Sequence, residues 1–540
     1  MKNIYQLPND YSKERFDIQV QCVDSCTSDP CNTVIAKGPA GFGKTLIGIL
    51  WTFEKGDHSI WVCPRNAVAT SVYENIIREF KNLNIKKSVE LYLTGKRTEN
   101  GLYNPSNELI SEFEADIVVT NIDNLLNPLV SNRTAHRLFS ILSSNVVLDE
   151  FHEFVSEVPL FAAFITYMRA RHQVCSGIKT LLLSATPSTL NMLWDTDDRK
   201  TDILPNGDSH YAPIHDQAYS IKFDTSYESP KQGSFNFRNA VKLAQNYYKT
   251  YHTNHIAHSH YLKEDIDIKL ANIKKSFGKK GDGVKKGESV SSAPILQAAM
   301  DISAQHLVDC LCSPEDSMQR IGRCNRWNEV IDASITFVDD TSREETTIVN
   351  ILYNSTLRKL WLNFLKTSLS GKDSVTLKEL YKLYNSFNQK NQDLITIYLK
   401  NKYINGTKRL TLFGPRKLRG MAENKTGKKV GGKNLRSPFG QGYFVLRNKE
   451  GNWTKSPFSE DYENLSKRAH KELAKVLTNP STMKSLIKGL APLYPAYERY
   501  LKKNKVPDLG VLLKLMKSPE TPLPDVTRTY CPDLGYFSNT

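Results

Sequence analysis

The chain has 540 residues and a mass of 61.3 kDa, too much for one hydrophobic core, so about three domains are expected. Its 40% hydrophobic and 24% charged residues are those of an ordinary globular chain, which excludes wholesale disorder and a lone peptide or binding module. A net charge of +15 points to a polyanionic partner, because clustered Lys and Arg gain affinity by releasing counterions from phosphates.

No stretch approaches the roughly 18 to 20 uninterrupted apolar residues a bilayer demands, and the start, MKNIYQLPND, lacks the apolar core of a secretory signal. A cytoplasmic protein with no membrane partner is expected. The nine cysteines are odd in number and scattered, so they form no disulfide framework. Cys22, Cys26 and Cys31 have neither CxxC spacing nor a nearby histidine, and no structural metal is expected there.

In chain order, β-rich runs come first, at Val34 to Ala36, Ile60 to Cys63, Val89 to Leu93, Asp116 to Thr120, Asn145 to Leu148 and Thr180 to Leu183. They alternate with longer segments of helical character, which implies a parallel sheet wrapped by helices. A polar, Pro-bearing stretch around Leu204 to Pro213 separates them from a second, smaller set at Asn254 to Ala257, Pro294 to Gln297, His306 to Cys310 and Ser334 to Val338. Beyond Asp340 the pattern turns mainly helical, with helical apolar spacing in Val349 to Leu365 and Leu377 to Tyr384. The expected division is 1–203, 204–340 and 341–540: two α/β units, then a mainly helical, basic accessory unit.

The strongest chemical signal is GPAGFGKT, Gly38 to Thr45, between a β-run and the apolar LIGILWTF; it satisfies GxxxxGK[ST] in full. Gly38, Gly41 and Gly43 let backbone amides turn inward around phosphates at a helix N-terminus, Lys44 reaches the β and γ phosphates, and Thr45 holds magnesium. The expected cofactors are therefore ATP and Mg2+. A magnesium nucleotide also needs a carboxylate at the end of a neighbouring strand, and NVVLDEF, Asn145 to Phe151, supplies two. Asp149 is the candidate metal residue and Glu150 the candidate general base for the attacking water.

With His152 the run reads DEFH, followed by Ser184-Ala185-Thr186 and by QRIGRCNR, Gln319 to Arg326. Four motifs in this order resemble the superfamily 2 helicases of the DExH type, which have two tandem RecA-like domains. The resemblance implies that Gln319, Arg323 and Arg326 reach from the second domain to the γ-phosphate. A guanidinium delivered that way makes hydrolysis depend on domain closure. It also implies coupling roles for His152, Ser184, Thr186 and Asp301.

The wording SPEDSMQRIGRCNRW, with DEFH and AHSHYLKEDI at Ala257 to Ile266, resembles more specifically the helicase half of the CRISPR-associated nuclease-helicase of type I systems, over about residues 30–340. Where that family reads ExSLDI, this chain has Gln297-Ala298-Ala299-Met300-Asp301-Ile302, with glutamine in place of glutamate. Asn66 in CPRNAVAT matches a DNA-contacting strand end, and both Gln19 and Gln21 stand upstream of the P-loop as adenine-reading candidates.

Only 37 residues precede Gly38 and the last 200 residues contain one histidine, His470, so the family's metal-binding HD nuclease is not expected in this chain. The expectation is a prokaryotic helicase subunit, similar to the layout of subtype I-D. It would act on single-stranded DNA with a guide-RNA effector complex and a separate HD-nuclease subunit, and would not cut DNA itself. The other readings are a superfamily 2 translocase of restriction or repair, and an ATP-gated scaffold that recruits a nuclease without unwinding.

Between Lys402 and Lys455 lie 14 Lys or Arg against only Glu423 and Glu450, interleaved with glycines and with Phe413, Phe439, Tyr443, Phe444 and Trp453. This stretch is expected to be a loop or irregular hairpin along the DNA backbone, with Lys425, Lys428, Lys429 and Lys433 as phosphate contacts.

Overall fold

The computed structural model describes residues 13–186, 199–200, 218–340, 354–411, 422–423, 429–430, 441–447, 452–461, 480–492, 497, 499 and 523–538, apart from short interior stretches of which 101–112 and 131–136 are the longest. Apolar runs such as Ser59–Cys63 (SIWVC) and Asn145–Asp149 (NVVLD) are buried at every position, as strands covered on both faces must be. They belong to an eight-stranded sheet of β1 (Thr33–Lys37), β2 (Ser59–Cys63), β3 (Val89–Leu93), β4 (Lys96–Asn100), β5 (Ile117–Asn121), β6 (Asn145–Asp149), β7 (Thr180–Ser184) and β8 (Arg199–Lys200), ordered β4-β3-β5-β2-β6-β7-β1-β8. Every pairing is parallel except β3 with β4. The connecting helices are α1 (Lys13–Ser28), α2 (Lys44–Lys55), α3 (Asn66–Asn82), α4 (Ile122–Val130), α5 (Leu138–Ser143) and α6 (Val158–Val174).

A second sheet contains β9 (Ala218–Asp224), β10 (Ser234–Phe237), β11 (His255–Ala257), β12 (Val290–Ser292), β13 (His306–Cys310), β14 (Ser334–Val338) and β15 (Ser374–Thr376), ordered β11-β12-β10-β13-β14-β9-β15. It carries α7 (Val241–Tyr251), α8 (Lys263–Phe277) and α9 (Pro314–Ile321). All its pairings are parallel except β15 with β9, so the C-terminal part of the chain completes the edge of this sheet. The expected strand at Pro294 to Gln297 is instead a 3-10 turn, Pro294–Leu296, and the strand lies just before it. Pro294 has no N–H to give a ladder and its fixed φ opens a turn instead. The strands β9 and β10 were not read from the sequence, although β9 alternates, with Tyr219, Ile221 and Phe223 turned to the core and Ala218, Ser220 and Lys222 exposed.

Three helices follow: α10 (Ser355–Ser368), α11 (Leu377–Lys390) and α12 (Gln392–Thr411). Asn354 caps α10 by accepting from Thr356 N and Leu357 N, and Thr376 with Glu379 forms a reciprocal capping box on α11. Arg358 of α10 is anchored on the second unit, donating to Leu311 O at 2.8 Å and pairing with Asp339 at 3.1 Å. A single residue, Asn391, separates α11 from α12, and α12 then packs along α6 of the first unit. One apolar cluster runs from the α6 face of the first sheet, through the second sheet, into α10, α11 and α12; a separate cluster fills the opposite face of the first sheet.

Downstream, β16 (Ala422–Glu423) pairs with β17 (Lys429–Val430). A four-stranded sheet follows, ordered β19-β18-β20-β21, from β18 (Gln441–Arg447), β19 (Trp453–Asp461), β20 (Leu523–Cys531) and β21 (Gly535–Ser538). Part of the basic stretch is therefore paired strand, and α13 (Pro480–Leu490) is the described helix between β19 and β20. The final hairpin docks on AHSHYLKEDI and on α7: Tyr261 Oη donates to Asp533 O at 2.7 Å, and Gln245 Nε2 of α7 donates to Leu534 O and Tyr536 O at 2.7 and 2.9 Å.

The α12–α6 contact is close because Gly406 has no side chain; a Cβ there would fall 2.3 Å from Val158 O and 2.6 Å from the Ala162 Cβ. Gly406→Val should destabilise the protein by about 1–3 kcal/mol through overpacking, read as a lower midpoint in urea or thermal unfolding.

Candidate functional site

The first motif sits where β1 runs into α2. Gly41 and Gly43 have φ of +81° and +88°, a region that L side chains rarely adopt, and a Cβ on Gly43 would meet Gln19 Nε2 at 2.4 Å. Gly38 N–H donates to Ser184 O at 3.2 Å, which ties the start of the loop to the end of β7. Lys44 opens α2 with Thr45 in its first turn. The buried Lys44 ammonium donates to Gly38 O and Pro39 O at 3.2 and 3.4 Å and lies 3.5 Å from Glu150 Oε1. Of the two upstream glutamines, Gln19 faces this loop: it is fully buried and donates to Phe42 O at 2.7 Å, whereas Gln21 is exposed. Arg15, one helical turn earlier, donates to Phe42 O at 3.2 Å and to Gly41 O. Sequence reasoning missed Arg15; its i, i+4 spacing from Gln19 was the available signal.

Asp149 ends β6, and Glu150 follows with φ +46°, left-handed backbone unusual for a glutamate and typical of residues held for function. Burial, reinforced by the adjacent Glu150 charge and only partly offset by Lys44, pushes the Asp149 carboxyl up to about 7. For Glu150 burial acts in the same direction, but Lys44, His152 and Arg323 together outweigh it and hold the group below the usual glutamate range. The two neighbours thus divide their titrations, one carboxylate staying ionised beside another that is half neutral near pH 7. His152 Nδ1 lies 2.7 Å from Ser184 Oγ, and Ser184 Oγ accepts from Thr186 N–H at 3.0 Å, so DEFH, SAT and the P-loop are one connected unit.

The second unit brings its arginine motif to this cleft. The carbonyl of Arg326 lies 3.9 Å from where a Gly41 Cβ would be. Arg323 is held by Met300 O and Gln297 O at 2.6 and 3.1 Å, and its charge is felt at Glu150. Burial and neighbouring Arg326 lower its pKa to about 9, so it stays charged at neutral pH. Arg326 pairs with Asp301 at 2.8 Å, and its N–H is fixed by Ser303 Oγ. Asn325, with φ +44°, shapes this turn by accepting from Glu329 N–H and Val330 N–H. Buried atoms without a partner among the described residues include Thr186 Oγ1, Gln319 Nε2, Arg323 Nε and His152 Nε2. Such donors and acceptors, drawn from both units, are what an anion rich in oxygens satisfies.

Arg320 has a different job. It is fully buried, pairs with Asp309 at 2.8 Å and donates to Asn239 Oδ1 at 3.0 Å. Its Nε donates to Gln297 Oε1 at 3.2 Å, while Gln297 Nε2 donates to Asp316 Oδ1 at 2.7 Å. A glutamate at 297 would set two carboxylates against each other, so the glutamine matches Asp316. Of the remaining candidates, Asn66 is exposed at the start of α3 and accepts from Asn121 Nδ2 at 2.6 Å. Lys429 lies in β17, while Lys425, Lys428 and Lys433 lie outside the described residues.

Residues 16–193 match the family model of the DEAD/DEAH box helicase, and residues 232–329 match that of the CRISPR-associated nuclease/helicase Cas3, C-terminal. The chain carries a DEAD/DEAH helicase domain followed by a Cas3-like one. No curated protein matches it. Among solved structures, T. fusca Cas3 with AMPPNP aligns with a TM-score of 0.55 at 15% identity, over 83% of this chain and 62% of that one. T. fusca Cas3 with ADP gives 0.54 at 14%, over 81% and 59%. A further "CRISPR-associated protein" gives 0.54 at 14%, over 99% and 71%. At these identities the likeness is one of fold, and this chain spans less than two thirds of the T. fusca protein.

The two kinds of arginine separate in experiment. Arg320→Met strands Asp309 in the core and should cost about 3–5 kcal/mol, seen as loss of cooperative unfolding or of soluble protein. Arg326→Ala removes a contact to a largely exposed Asp301 and should leave the unfolding midpoint within about 1 kcal/mol of wild type.

Proposed function

We propose that this chain is an ATP-driven single-strand DNA translocase and helicase of type I CRISPR interference, working with a guide-RNA effector complex and with a nuclease carried on another subunit. Its working parts are the units 1–203, 204–340 and 341–540. The observation that carries the reading is the position of Glu150, between Lys44 from the P-loop and the field of Arg323 from the second sheet. The Cas3-like match over 232–329 supports the CRISPR setting.

In this reading Lys44, the amides of Gly38 to Thr45 and Gln319 bind the triphosphate, and Gln19 reads the adenine. An entering phosphate competes with Glu150 for the Lys44 ammonium, which frees the carboxylate as general base for the attacking water. Arg323 and Arg326 stabilise the charge that develops on the transferred phosphoryl group, and they do so only when the two sheets are held together. Thr45 and Asp149 are the residues that would hold Mg2+. The site fits a divalent cation, since burial and the neighbouring Glu150 charge suppress the ionisation of Asp149 and an added positive charge would offset both. The metal would supply charge neutralisation at the phosphates. Ser184, bonded to His152 and to the root of the P-loop, passes changes at the phosphate to β7 and the second unit. Asn66 and the lysines at 425, 428, 429 and 433 are the proposed phosphate-backbone contacts of the strand.

Two outcomes test the chemistry. Glu150→Gln should still bind ATP but hydrolyse it at least 100-fold more slowly, with and without single-stranded DNA, in a phosphate-release assay; unchanged turnover would remove Glu150 from the mechanism. Asp149 ionises as pH rises through about 7, so Mg2+-dependent AMP-PNP binding should be about tenfold tighter at pH 8 than at pH 6, measured by calorimetry. Asp149→Asn should flatten that dependence.

A further inference from the structure

Helix α11 belongs mechanically to the second unit. It starts directly from β15, which completes that unit's sheet, and its first turn is locked by the Thr376–Glu379 capping box. Tyr381, Tyr384 and Phe387 are buried on it, with Phe387 packed edge-on to Trp361 of α10 at 5.1 Å. Two adjacent side chains of this helix face opposite halves of the nucleotide cleft. Tyr384 Oη lies 3.3 Å from Glu315 Oε1, in the first turn of α9, the helix that carries Gln319 and leads into Arg323. Asn385 Oδ1 accepts from Lys37 Nζ at 3.0 Å, and Lys37 is the last residue of β1, immediately before Gly38.

Beyond α11 the connection to the first unit is short. Asn391 is the only residue between α11 and α12, and it is braced: its N–H and its Nδ2 donate to Phe387 O at 3.0 and 2.8 Å, and its carbonyl accepts from Ile395 N–H. α12 is then pinned to α6 by the close approach at Gly406. A movement of one sheet against the other therefore loads both this braced single-residue elbow and the Lys37–Asn385 hydrogen bond. The half-buried hydrogen bond is the weaker element, with a charged donor and nothing covalent to resist.

We propose that α11 is the coupler between the C-terminal unit and the nucleotide cleft, with Asn385 as a positioning residue that fixes the root of the P-loop through Lys37 while Tyr384 fixes the helix leading to the arginines. This rests on the reading of the cleft as an ATP site that works by closure. It gives the helices after residue 354 a role in catalysis that involves no contact with nucleotide. Asn385 registers whether the first sheet is seated against the second, and the C-terminal unit experiences that state through one rigid helix.

The test is a double-mutant cycle on Lys37→Met and Asn385→Ala, with Asn385→Asp as rescue, since a carboxylate at 385 still accepts from Lys37. Two readouts are taken: ATP turnover with and without an oligo-dT strand, and affinity for AMP-PNP with Mg2+. Asn385→Ala should lower strand-stimulated kcat roughly three- to tenfold, the net range of one partly solvated hydrogen bond. The ATP KM and the unfolding midpoint should stay near wild type, Asn385→Asp should recover most of the rate, and the double variant should be no worse than Lys37→Met alone. Wild-type turnover in Asn385→Ala, or additive single effects, overturns the proposal. If the wild-type chain shows no strand-stimulated turnover, the translocase reading fails, and the cycle on basal ATP turnover still decides the coupling: non-additive losses support it, and additive losses or none overturn it.

Discussion

Asp149 and Glu150 are adjacent carboxyls at the end of β6, Asp149 buried and Glu150 32% exposed at its side chain, and positive charge reaches Glu150 from two directions. Lys44 comes from the P-loop of the same unit, and Arg323 comes from the turn after α9 in the second unit, held there by the carbonyls of Gln297 and Met300. Leaving either partner out would weaken the field that keeps Glu150 ionised beside Asp149, so the seating of the two units and the ionisation of Glu150 are one problem. The left-handed backbone at Glu150 belongs to the same constraint, because it turns the second acid toward the lysine while the first stays in line with β6.

From that centre the rest of the fold reads as support. Ser184 joins the P-loop, His152 and Thr186 at the end of β7. Arg320, Asp309, Asn239, Gln297 and Asp316 form a buried polar network whose members are paired, and this network sets the orientation of α9 and of the turn that follows it. Such a network is costly when incomplete and specifying when complete, which explains why a glutamine, with a donor and an acceptor, occupies 297 between an arginine and an acid. The helices from 354 to 411 close the arrangement by gripping both units at once.

Much of this was legible because the chemistry demands particular residues in sequence-local patterns. GPAGFGKT requires glycines at positions with positive φ, and NVVLDEF puts two acids at the end of a buried strand, so both could be read without a structure. Fully buried strands such as SIWVC also announced themselves, whereas β9, with its alternate residues turned to solvent, has no continuous apolar run and was passed over. The strand expected at Pro294 was misplaced by four residues because apolar content alone does not distinguish a strand from a proline-initiated turn. Contacts between segments far apart in sequence, such as Lys37 with Asn385 or Gln245 with the final hairpin, have no local signature, and neither did the choice of Gln19 over Gln21. Within the basic stretch, the irregular hairpin that its glycines suggested is present where Gln441–Arg447 pairs antiparallel with Trp453–Asp461, with a register shift between Tyr443 and Val445.

A strand-end displacement assay tests the central claim most directly. Streptavidin is placed on either the 3′ or the 5′ biotinylated end of a single DNA strand, and its release is followed with ATP and Mg2+. The account predicts ATP-dependent release from one end only, abolished by Arg323→Ala even though that variant still binds AMP-PNP. Hydrolysis stimulated by the strand with no release from either end would contradict it, and would leave a nucleotide-gated scaffold in place of a translocase.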